Sequence, residues 1–349
     1  MRPAVVLVAT IAVAAVAGTA VSVAQRPPAA AHPPRSTPSG VVATLPNNQP
    51  AVAFGFSVAS DSATQHLVLF GGVDNFDETW LWDGAAWARA YPPISPSGRY
   101  GASAAFDPEI GEVLLFGGTL QTGQATNDTW GWDGRTWQRL DGGSDGPTGG
   151  GGSDMAWDST LSEMVLVTPS AARGGGGETW VWSGARWVRD VAGSIGASDA
   201  GILIAFDPLS SSLLAEGCCT PKVDGGLSTQ PSTWRWNGSE WIALPTSMHP
   251  LDGSSMQEDP SLRRLVLCSC DLAGGLSPEM WVWNGRDWTK GPYPQAPVAP
   301  EAEVIDPADS QFLILGSAIP GADALTQTVQ VWAMRGAQWL RLGVGLASG

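Results

Sequence analysis

A tryptophan-rich motif recurs six times along this 349-residue chain and limits the folds open to it. It occurs first as Trp80-Leu81-Trp82-Asp83-Gly84-Ala85-Ala86-Trp87, and successive copies begin 50, 50, 54, 47 and 51 residues apart. Seventeen of the 18 tryptophans belong to it. The sixth copy is less regular and keeps two of the three tryptophans of the motif. These repeat residues are Trp80, Trp82, Trp87, Trp130, Trp132, Trp137, Trp180, Trp182, Trp187, Trp234, Trp236, Trp241, Trp281, Trp283, Trp288, Trp332 and Trp339. A constant period near 50 residues indicates a repeat architecture.

A second landmark keeps phase with the first. An aspartate stands six residues before an apolar run in every unit, and proline follows it in four of them. These aspartates are Asp61, Asp107, Asp158, Asp207, Asp259 and Asp306. Aspartate and proline are turn residues, so each unit contains a strand before this turn and a strand after it. The remaining tryptophan, Trp157, stands directly before Asp158, where two other units have Phe106 and Phe206.

Each unit is therefore predicted to hold four antiparallel strands, the third through Trp-x-Trp and the fourth through the last Trp. Asp-Gly or Asn-Gly pairs such as Asp83-Gly84 are typical of two-residue hairpins, in which both central residues need positive φ. Six four-stranded units without helical periodicity predict an all-β, six-bladed β-propeller. We expect Val41-Val42-Ala43-Thr44 as a candidate to pair with the last blade around residues 339–342 and help close the ring.

The repeats resemble those of kelch-type propellers, the family that includes galactose oxidase. The resemblance rests on Leu67-Val68-Leu69-Phe70-Gly71-Gly72 and Val113-Leu114-Leu115-Phe116-Gly117-Gly118, each followed by a loop and a Thr-Trp pair, and on Arg99-Tyr100-Gly101-Ala102. It covers roughly residues 51–342, although the Gly-Gly pair is lost from the third unit onward. The galactose oxidase copper site looks absent, because Tyr91, Tyr100 and Tyr293 lie in predicted connections between blades. The resemblance implies a kelch-like propeller.

The N-terminus predicts export. Residues 1–24 have a positive start, an uncharged apolar run and small residues before Gln25, which is the pattern of a signal peptide; the alternative is an uncleaved membrane anchor. A Pro/Ala-rich linker follows over residues 25–50. The propeller is expected over 51–349. Its six blades are expected at 51–91, 99–141, 152–190, 201–245, 253–292 and 300–342. We therefore expect a secreted or membrane-tethered protein, with the N-terminal segment as its one possible contact with a membrane.

The four cysteines, Cys218, Cys219, Cys268 and Cys270, fall in neighbouring units four and five. In an oxidising compartment they are candidates for one or two disulfides that link these blades. A Cys₄ zinc site is the alternative, but their vicinal and one-apart spacings are not those of zinc ligands. The sequence does not determine the pairing.

No catalytic constellation emerges from the residue types. No Ser-His-Asp arrangement is marked, and clustered acids, such as Asp74 with Asp77 and Glu78, or Glu258 with Asp259, lack the alternating spacing of a calcium loop. The net charge of −15 opposes binding to nucleic acid. We expect no catalytic residues, no cofactor and no metal.

The tryptophans have two interpretations. They either fill the wedges between blades or serve as sugar-stacking platforms, and their recurrence in every unit favours packing. The sequence therefore favours an extracytoplasmic, non-catalytic scaffold that binds a protein or a glycan through its loops. The loops in question follow the second strands, at 73–77, 119–127, 170–177, 219–231, 271–278 and 318–327. The alternative is a secreted carbohydrate-active hydrolase or oxidase on the same scaffold.

Overall fold

A computed structural model describes most of the chain between residues 49 and 343. The described residues are 49–51, 54–73, 77–142, 146–169, 177–195, 202–217, 232–247, 250, 253–269, 279–296, 298–317, 328–335 and 338–343. Within these ranges the regular structure is entirely β, in six sheets of four antiparallel strands each. In every sheet the strands are hydrogen-bonded in chain order, from first to fourth. This confirms the predicted all-β, six-bladed propeller. None of the described residues forms a helix that could cross a membrane.

The strands fall into blades as follows. Blade 1 comprises Ser57–Asp61, His66–Phe70, Thr79–Trp82 and Trp87–Ala90; blade 2 comprises Ser103–Asp107, Glu112–Phe116, Thr129–Trp132 and Trp137–Asp141. Blade 3 comprises Asp154–Asp158, Glu163–Thr168, Gly177–Trp182 and Trp187–Ile195; blade 4 comprises Ile202–Asp207, Ser212–Gly217, Ser232–Trp236 and Trp241–Ala243. Blade 5 comprises Gly253–Asp259, Arg264–Ser269, Glu279–Trp283 and Trp288–Lys290; blade 6 comprises Ala299–Asp306, Gln311–Ser317, Gln330–Arg335 and Gln338–Leu342. A separate two-stranded sheet joins Arg99–Tyr100 to Thr119–Leu120.

The blades close into a ring through their first strands. The first strand of each blade contacts the first strands of both neighbouring blades, and that of blade 6 contacts that of blade 1. At this junction the Val329 N–H donates to the Pro50 carbonyl at 3.0 Å. The segment expected to close the ring, Val41–Thr44, lies outside the described residues.

The aspartate that follows each first strand shapes the turn to the second strand. In blade 1 the buried Asp61 carboxylate accepts the backbone N–H groups of Ala63 at 3.0 Å and Thr64 at 3.1 Å. Gln65 then adopts a φ of 61°, which leads the chain into the next strand. A short carboxylate that caps nearby N–H groups is the physical reason for aspartate in such turns. The other five turn aspartates are also buried and also accept backbone N–H groups of their turns, so this capping is common to the ring.

The hairpins between third and fourth strands differ from the expected two-residue turn, and that prediction was wrong. Trp82 pairs with Trp87, so four residues separate the strands. The Asp83 carboxylate accepts the N–H groups of Ala85 at 2.9 Å and Ala86 at 2.8 Å, and Gly84 has a φ of 92°. The acceptor side chain at the first loop position stabilises the turn, and only the glycine needs positive φ. The Asp-Gly pair therefore fits a four-residue loop as well as the two-residue turn that it predicted.

The core consists of wedges between blades. Six hydrophobic clusters each join residues of two neighbouring blades, one cluster for every junction in the ring. In five blades the second and third repeat tryptophans form a tilted pair, with ring centroids 5.1–5.4 Å apart. Tilted aromatic pairs at this separation add to the stabilisation from burial itself.

A recurrent hydrogen bond links successive blades. The third repeat tryptophan donates its indole N–H to the threonine that precedes the first repeat tryptophan of the blade before it. Trp137 donates to Thr79 at 2.9 Å, and Trp187 donates to Thr129 at 2.9 Å. Blades 4 and 5 repeat the contact with Trp241 to Thr179 at 2.9 Å and Trp288 to Thr233 at 3.1 Å. We call these contacts the threonine–tryptophan staples.

The staple is absent at the two junctions where the threonine is replaced. Met280 occupies the threonine position in blade 5, and Trp339 donates instead to the Pro294 carbonyl at 3.1 Å. Val331 occupies it in blade 6, and the buried Trp87 indole N–H has no partner among the described residues. The junction that closes the ring therefore lacks one buried hydrogen bond that four other junctions have.

Candidate functional site: the central channel

The six first strands enclose a channel along the propeller axis. Its volume is about 660 Å³, and its walls come mostly from these strands and from the one or two residues before them, with Glu216, Gly217 and Pro250 as additions. This volume lies within the range of roughly 300–1,000 Å³ that is typical of ligand pockets. All six blades contribute to its walls, so the repeated fold encloses the channel. The residues that differ between blades determine which groups a ligand would meet there.

One end of the channel lies beside the turns that join first and second strands. The residue directly before the turn aspartate stands here in each blade, and it is partly buried in all six. In three consecutive blades this residue is aromatic and lines the channel, as Phe106, Trp157 and Phe206. We call these three residues the aromatic arc. The other three blades place Ser60, Glu258 and Ile305 at this level.

Small side chains stand next to the aromatic arc along the first strands. One residue further from the turns, four consecutive blades carry alanine, as Ala59, Ala105, Ala156 and Ala205, and all four line the channel. Alanine leaves space that a larger side chain would fill. The aromatic arc itself also packs against the wedges between blades: Phe106 at the junction of blades 1 and 2, Trp157 at that of blades 2 and 3, and Phe206 at that of blades 3 and 4.

The opposite end of the channel is polar. It lies where the first strands begin and the loops after the second strands start. Its hydroxyl and carboxyl groups, which we call the polar end, belong to Ser57, Ser103, Ser153, Asp154, Glu216, Ser255 and Glu301. The Ser57 hydroxyl donates to the Ala102 carbonyl at 2.7 Å, whereas the hydroxyls of Ser103, Ser153 and Ser255 have no partner among the described residues.

Asp154 lies between blades 3 and 4. Its carboxylate accepts the N–H groups of Ile204 at 2.8 Å and Met155 at 2.9 Å, which orients it at the start of its strand. Burial raises the pKa of Asp154 to about 7, because these two hydrogen bonds offset only part of the loss of hydration. Glu301 is similar: burial raises its pKa to about 7, while the Gly55 N–H lowers it in part.

Glu216 is a buried carboxyl group of the channel with one oxygen that has no hydrogen-bond partner among the described residues. It pairs with Thr233 in the second strand of blade 4, a position that Phe70 and Phe116 fill in blades 1 and 2. It is 4% exposed, and its Oε2 accepts the Thr233 hydroxyl at 2.5 Å and the Trp288 indole N–H at 3.1 Å. Its Oε1 has no hydrogen-bond partner among the described residues. Burial raises the pKa of Glu216 to about 7 despite these two donors.

The charge of the channel wall has one sign. Asp154, Glu216, Glu301 and Glu303 all line it, and the described residues of the wall include no lysine, arginine or histidine. The described part of the chain contains no group of three or more His, Cys, Asp or Glu side chains that could hold a metal ion. The wall thus combines aromatic faces, hydroxyls and carboxyl groups.

The repeat tryptophans lie elsewhere. Fourteen of the 17 are at most 8% exposed, and Trp130, Trp332 and Trp339 are partly buried. None of the 17 lines the channel. The tryptophan that lines it is Trp157, the one outside the repeat.

Of the four disulfide candidates only Cys268 lies within the described residues. It is buried in the wedge between blades 5 and 6, beside Val266 and Ile314. Cys218, Cys219 and Cys270 lie outside the described residues, so the disulfides stay a prediction.

Two of the acids singled out in the sequence have structural contacts, and Asp74 lies outside the described residues. Glu78 accepts the Trp80 indole N–H at 2.8 Å and forms an ion pair with Arg89 at 2.6 Å. Asp259 caps its turn and accepts the Tyr293 hydroxyl at 2.6 Å. Burial and the Asp259 carboxylate both raise the pKa of Tyr293. Neither acid lines the channel.

Among the loops expected to bind a ligand, 119–127 is the one described throughout. Arg99, which is 1% exposed, holds it in place by donating to Asp128 at 2.6 Å and to the Gly117 carbonyl at 2.9 Å. The ion pair lowers the pKa of Asp128 against the opposing effect of its burial. Arg99 therefore has a structural role, because a buried charge needs a partner with good geometry.

Sequence reasoning missed the polar end and gave no weight to the aromatic arc. A signal for Glu216 existed, since aligned repeats place a carboxyl group where the other units have Phe, Val, Cys or Leu. Trp157 was likewise visible as the one tryptophan out of phase with the repeat. Asp154 left a weaker signal, as a carboxyl group four residues before the turn aspartate where blades 1 and 2 have Ser57 and Ser103. Glu301 left none, because the first strand of blade 6 begins seven residues before its turn aspartate rather than four.

Comparison with known proteins identifies the fold. No protein-family model matches the chain, and no curated protein matches it. Among solved structures, the Aleuria aurantia lectin in complex with Fucalpha1-6GlcNAc is 15% identical, with a TM-score of 0.58 over 86% of this chain and 99% of that one. The SapL1 lectin in complex with alpha methyl fucoside is 14% identical, with a TM-score of 0.55 over 86% and 99%. YjhT is 14% identical, with a TM-score of 0.53 over 84% and 98%. At these identities the likeness is one of six-bladed propeller fold.

Proposed function

We propose that this protein is a non-catalytic, extracytoplasmic propeller that binds a glycan in its central channel. The observation that carries the proposal is the pairing of an aromatic arc with a polar end in one channel of about 660 Å³. A sugar ring has an apolar C–H face and a rim of hydroxyl groups. Binding sites for such ligands combine apolar or aromatic walls with a few well-placed polar groups.

Each part of the channel would have its own role. Phe106, Trp157 and Phe206 would stack against sugar rings, because flat aromatic faces offer a large contact area with little loss of conformational entropy. The hydroxyls of Ser103 and Ser255 would exchange hydrogen bonds with sugar hydroxyls, since both can donate and accept. The solved propeller lectins with fucosides supply a ligand to test first.

Two further features belong to this proposal. Export would follow from the signal-like residues 1–24, and kelch-type kinship would follow from the Gly-Gly pairs. The latter is supported by positive φ at both glycines of each pair, with 71° and 101° at Gly71 and Gly72, a conformation that favours glycine. At Gly118 an added Cβ would stand 3.0 Å from the Tyr100 carbonyl oxygen, so the backbone there leaves no room for another residue.

The test is a glycan-array screen of the purified propeller that includes neutral, amino and acidic sugars, followed by calorimetric titration with methyl fucoside and the strongest array ligands. We expect saturable binding of at least one glycan, and the same glycan recovered intact after prolonged incubation. Array signals at background throughout would contradict glycan binding. Cleavage or oxidation of the bound glycan would favour the competing carbohydrate-active enzyme.

A further inference from the structure

The polar end carries more carboxyl groups than recognition of a neutral sugar requires. Asp154 and Glu301 stand there on blades 3 and 6, and Glu216 stands there on blade 4. The described residues of the channel wall offer no cationic side chain to any of them. The whole chain has a net charge of −15, so its long-range field adds to the negative potential of the channel.

The contacts of Glu216 are a second, independent indication of a ligand. It is 96% buried, and one carboxyl oxygen is fully used by Thr233 and Trp288 while Oε1 has no partner among the described residues. The wedge around it is otherwise apolar, with Leu203 on the same strand pair and Met256 from blade 5. A buried polar atom left without a hydrogen bond is unfavourable unless something binds it.

Burial of a carboxylate without a cation is resolved either by a proton or by a positively charged partner. The raised pKa values of Asp154, Glu216 and Glu301 show that the proton is held more tightly here than in water. A cation that enters the channel displaces these protons and forms charge-assisted hydrogen bonds, which are stronger than neutral ones. An anion would meet repulsion from the same groups.

We propose that the polar end binds the ammonium group of an amino sugar, so that the ligand of the channel is a cationic glycan rather than a neutral or acidic one. This inference rests on the proposed glycan-binding function. An ammonium group has three N–H donors and no acceptor, which suits a carboxyl oxygen such as Glu216 Oε1 that has no partner among the described residues. The sugar ring that carries it would extend along the alanine layer toward the aromatic arc.

The experiment compares three trisaccharides by calorimetric titration at neutral pH: glucosamine, N-acetylglucosamine and galacturonic acid oligomers. We expect the glucosamine trisaccharide to bind at least about fivefold more tightly than its N-acetylated counterpart, since one favourable ion pair contributes a factor of this order. The galacturonate trisaccharide should not bind. Adding NaCl to about 0.5 M should reduce the preference, because salt screens charge interactions.

Glu216→Gln and Glu301→Gln should each weaken binding of the glucosamine trisaccharide several-fold more than binding of the N-acetylated one, because only the former loses an ion pair. Glu240→Gln is the matched control, since Glu240 is exposed on a hairpin away from the channel. Thermal melts confirm that each variant is folded. Equal affinities for the two trisaccharides, or a preference that survives both substitutions, would overturn the inference. Neutral glycan binding without this preference would leave the proposed function intact, whereas binding of no glycan would remove both.

Discussion

The threonine–tryptophan staples make a quantitative prediction about how the ring is held together. In Thr129→Val a methyl group replaces the hydroxyl that accepts the Trp187 indole N–H at 2.9 Å, while side-chain volume is nearly unchanged. Trp187 is 3% exposed, so water cannot replace the lost acceptor. A buried donor left unsatisfied costs about 1–3 kcal/mol. At about 2 °C per kcal/mol for a chain of this size, the melting temperature should fall by about 2–6 °C.

Thr168→Val provides the matched control for this measurement. Thr168 is as buried as Thr129, at 0% exposure, but its hydroxyl has no hydrogen-bond partner among the described residues. Removing an unpaired buried hydroxyl should leave the melting temperature unchanged or raise it. The assay is thermal unfolding followed by near-ultraviolet circular dichroism, which reports on the packed indoles. Equal losses in the two variants, or no loss in Thr129→Val, would refute the role of the staple.

Three further predictions concern the junction that closes the ring, the buried carboxyl group of Glu216 and the 119–127 loop. Val331→Thr should supply an acceptor to the unpaired Trp87 indole N–H and stabilise the closing junction by about 1 kcal/mol, measured by urea unfolding; a lower midpoint would contradict this. Glu216→Gln should stabilise the protein at alkaline pH by up to about 3 kcal/mol. Folding raises the pKa of Glu216 from 4.5 to about 7, so in the parent protein the free energy of unfolding falls as pH rises between these values. Unfolding at acid pH should differ little between Glu216→Gln and the parent protein, and a pH-independent difference would refute the assignment. Arg99→Met should destabilise the 119–127 loop by about 3 kcal/mol or more, because it leaves Asp128 with a buried charge, and unchanged protease sensitivity of that loop would argue against it.

The blades could be predicted from the sequence because two independent landmarks recur in register. The turn aspartates and the repeat tryptophans each mark a position that packing or capping requires in every unit, and such requirements leave a period. The hairpin turn was mispredicted because Asp-Gly serves both a two-residue turn and a longer turn capped by the aspartate, as at Asp83. Local sequence alone does not distinguish them.

The channel could not be predicted in the same way. Its walls bring together first strands that lie about 50 residues apart in sequence, and its chemistry depends on residues that break the repeat. Asp154 and Glu301 acquire their raised pKa values from burial by neighbouring blades, which no local pattern encodes. Glu216 and Trp157 were recognisable in the sequence, because each differs in type from the residues at the equivalent positions of the other repeats. In a repeat protein the period indicates the scaffold, and departures from it indicate where to look for a site.

The central claim, glycan binding in the channel, is tested most directly by calorimetric titration of the strongest array ligand into Trp157→Leu. Leucine keeps an apolar side chain against the wedge between blades 2 and 3 but removes the aromatic face. Tyr91→Ala is the control, since Tyr91 is 67% exposed on an outer connection. Loss of one stacking contact should weaken binding about tenfold, the equivalent of about 1.4 kcal/mol. Unchanged affinity in Trp157→Leu, or an equal loss in Tyr91→Ala, would show that the ligand binds outside the channel.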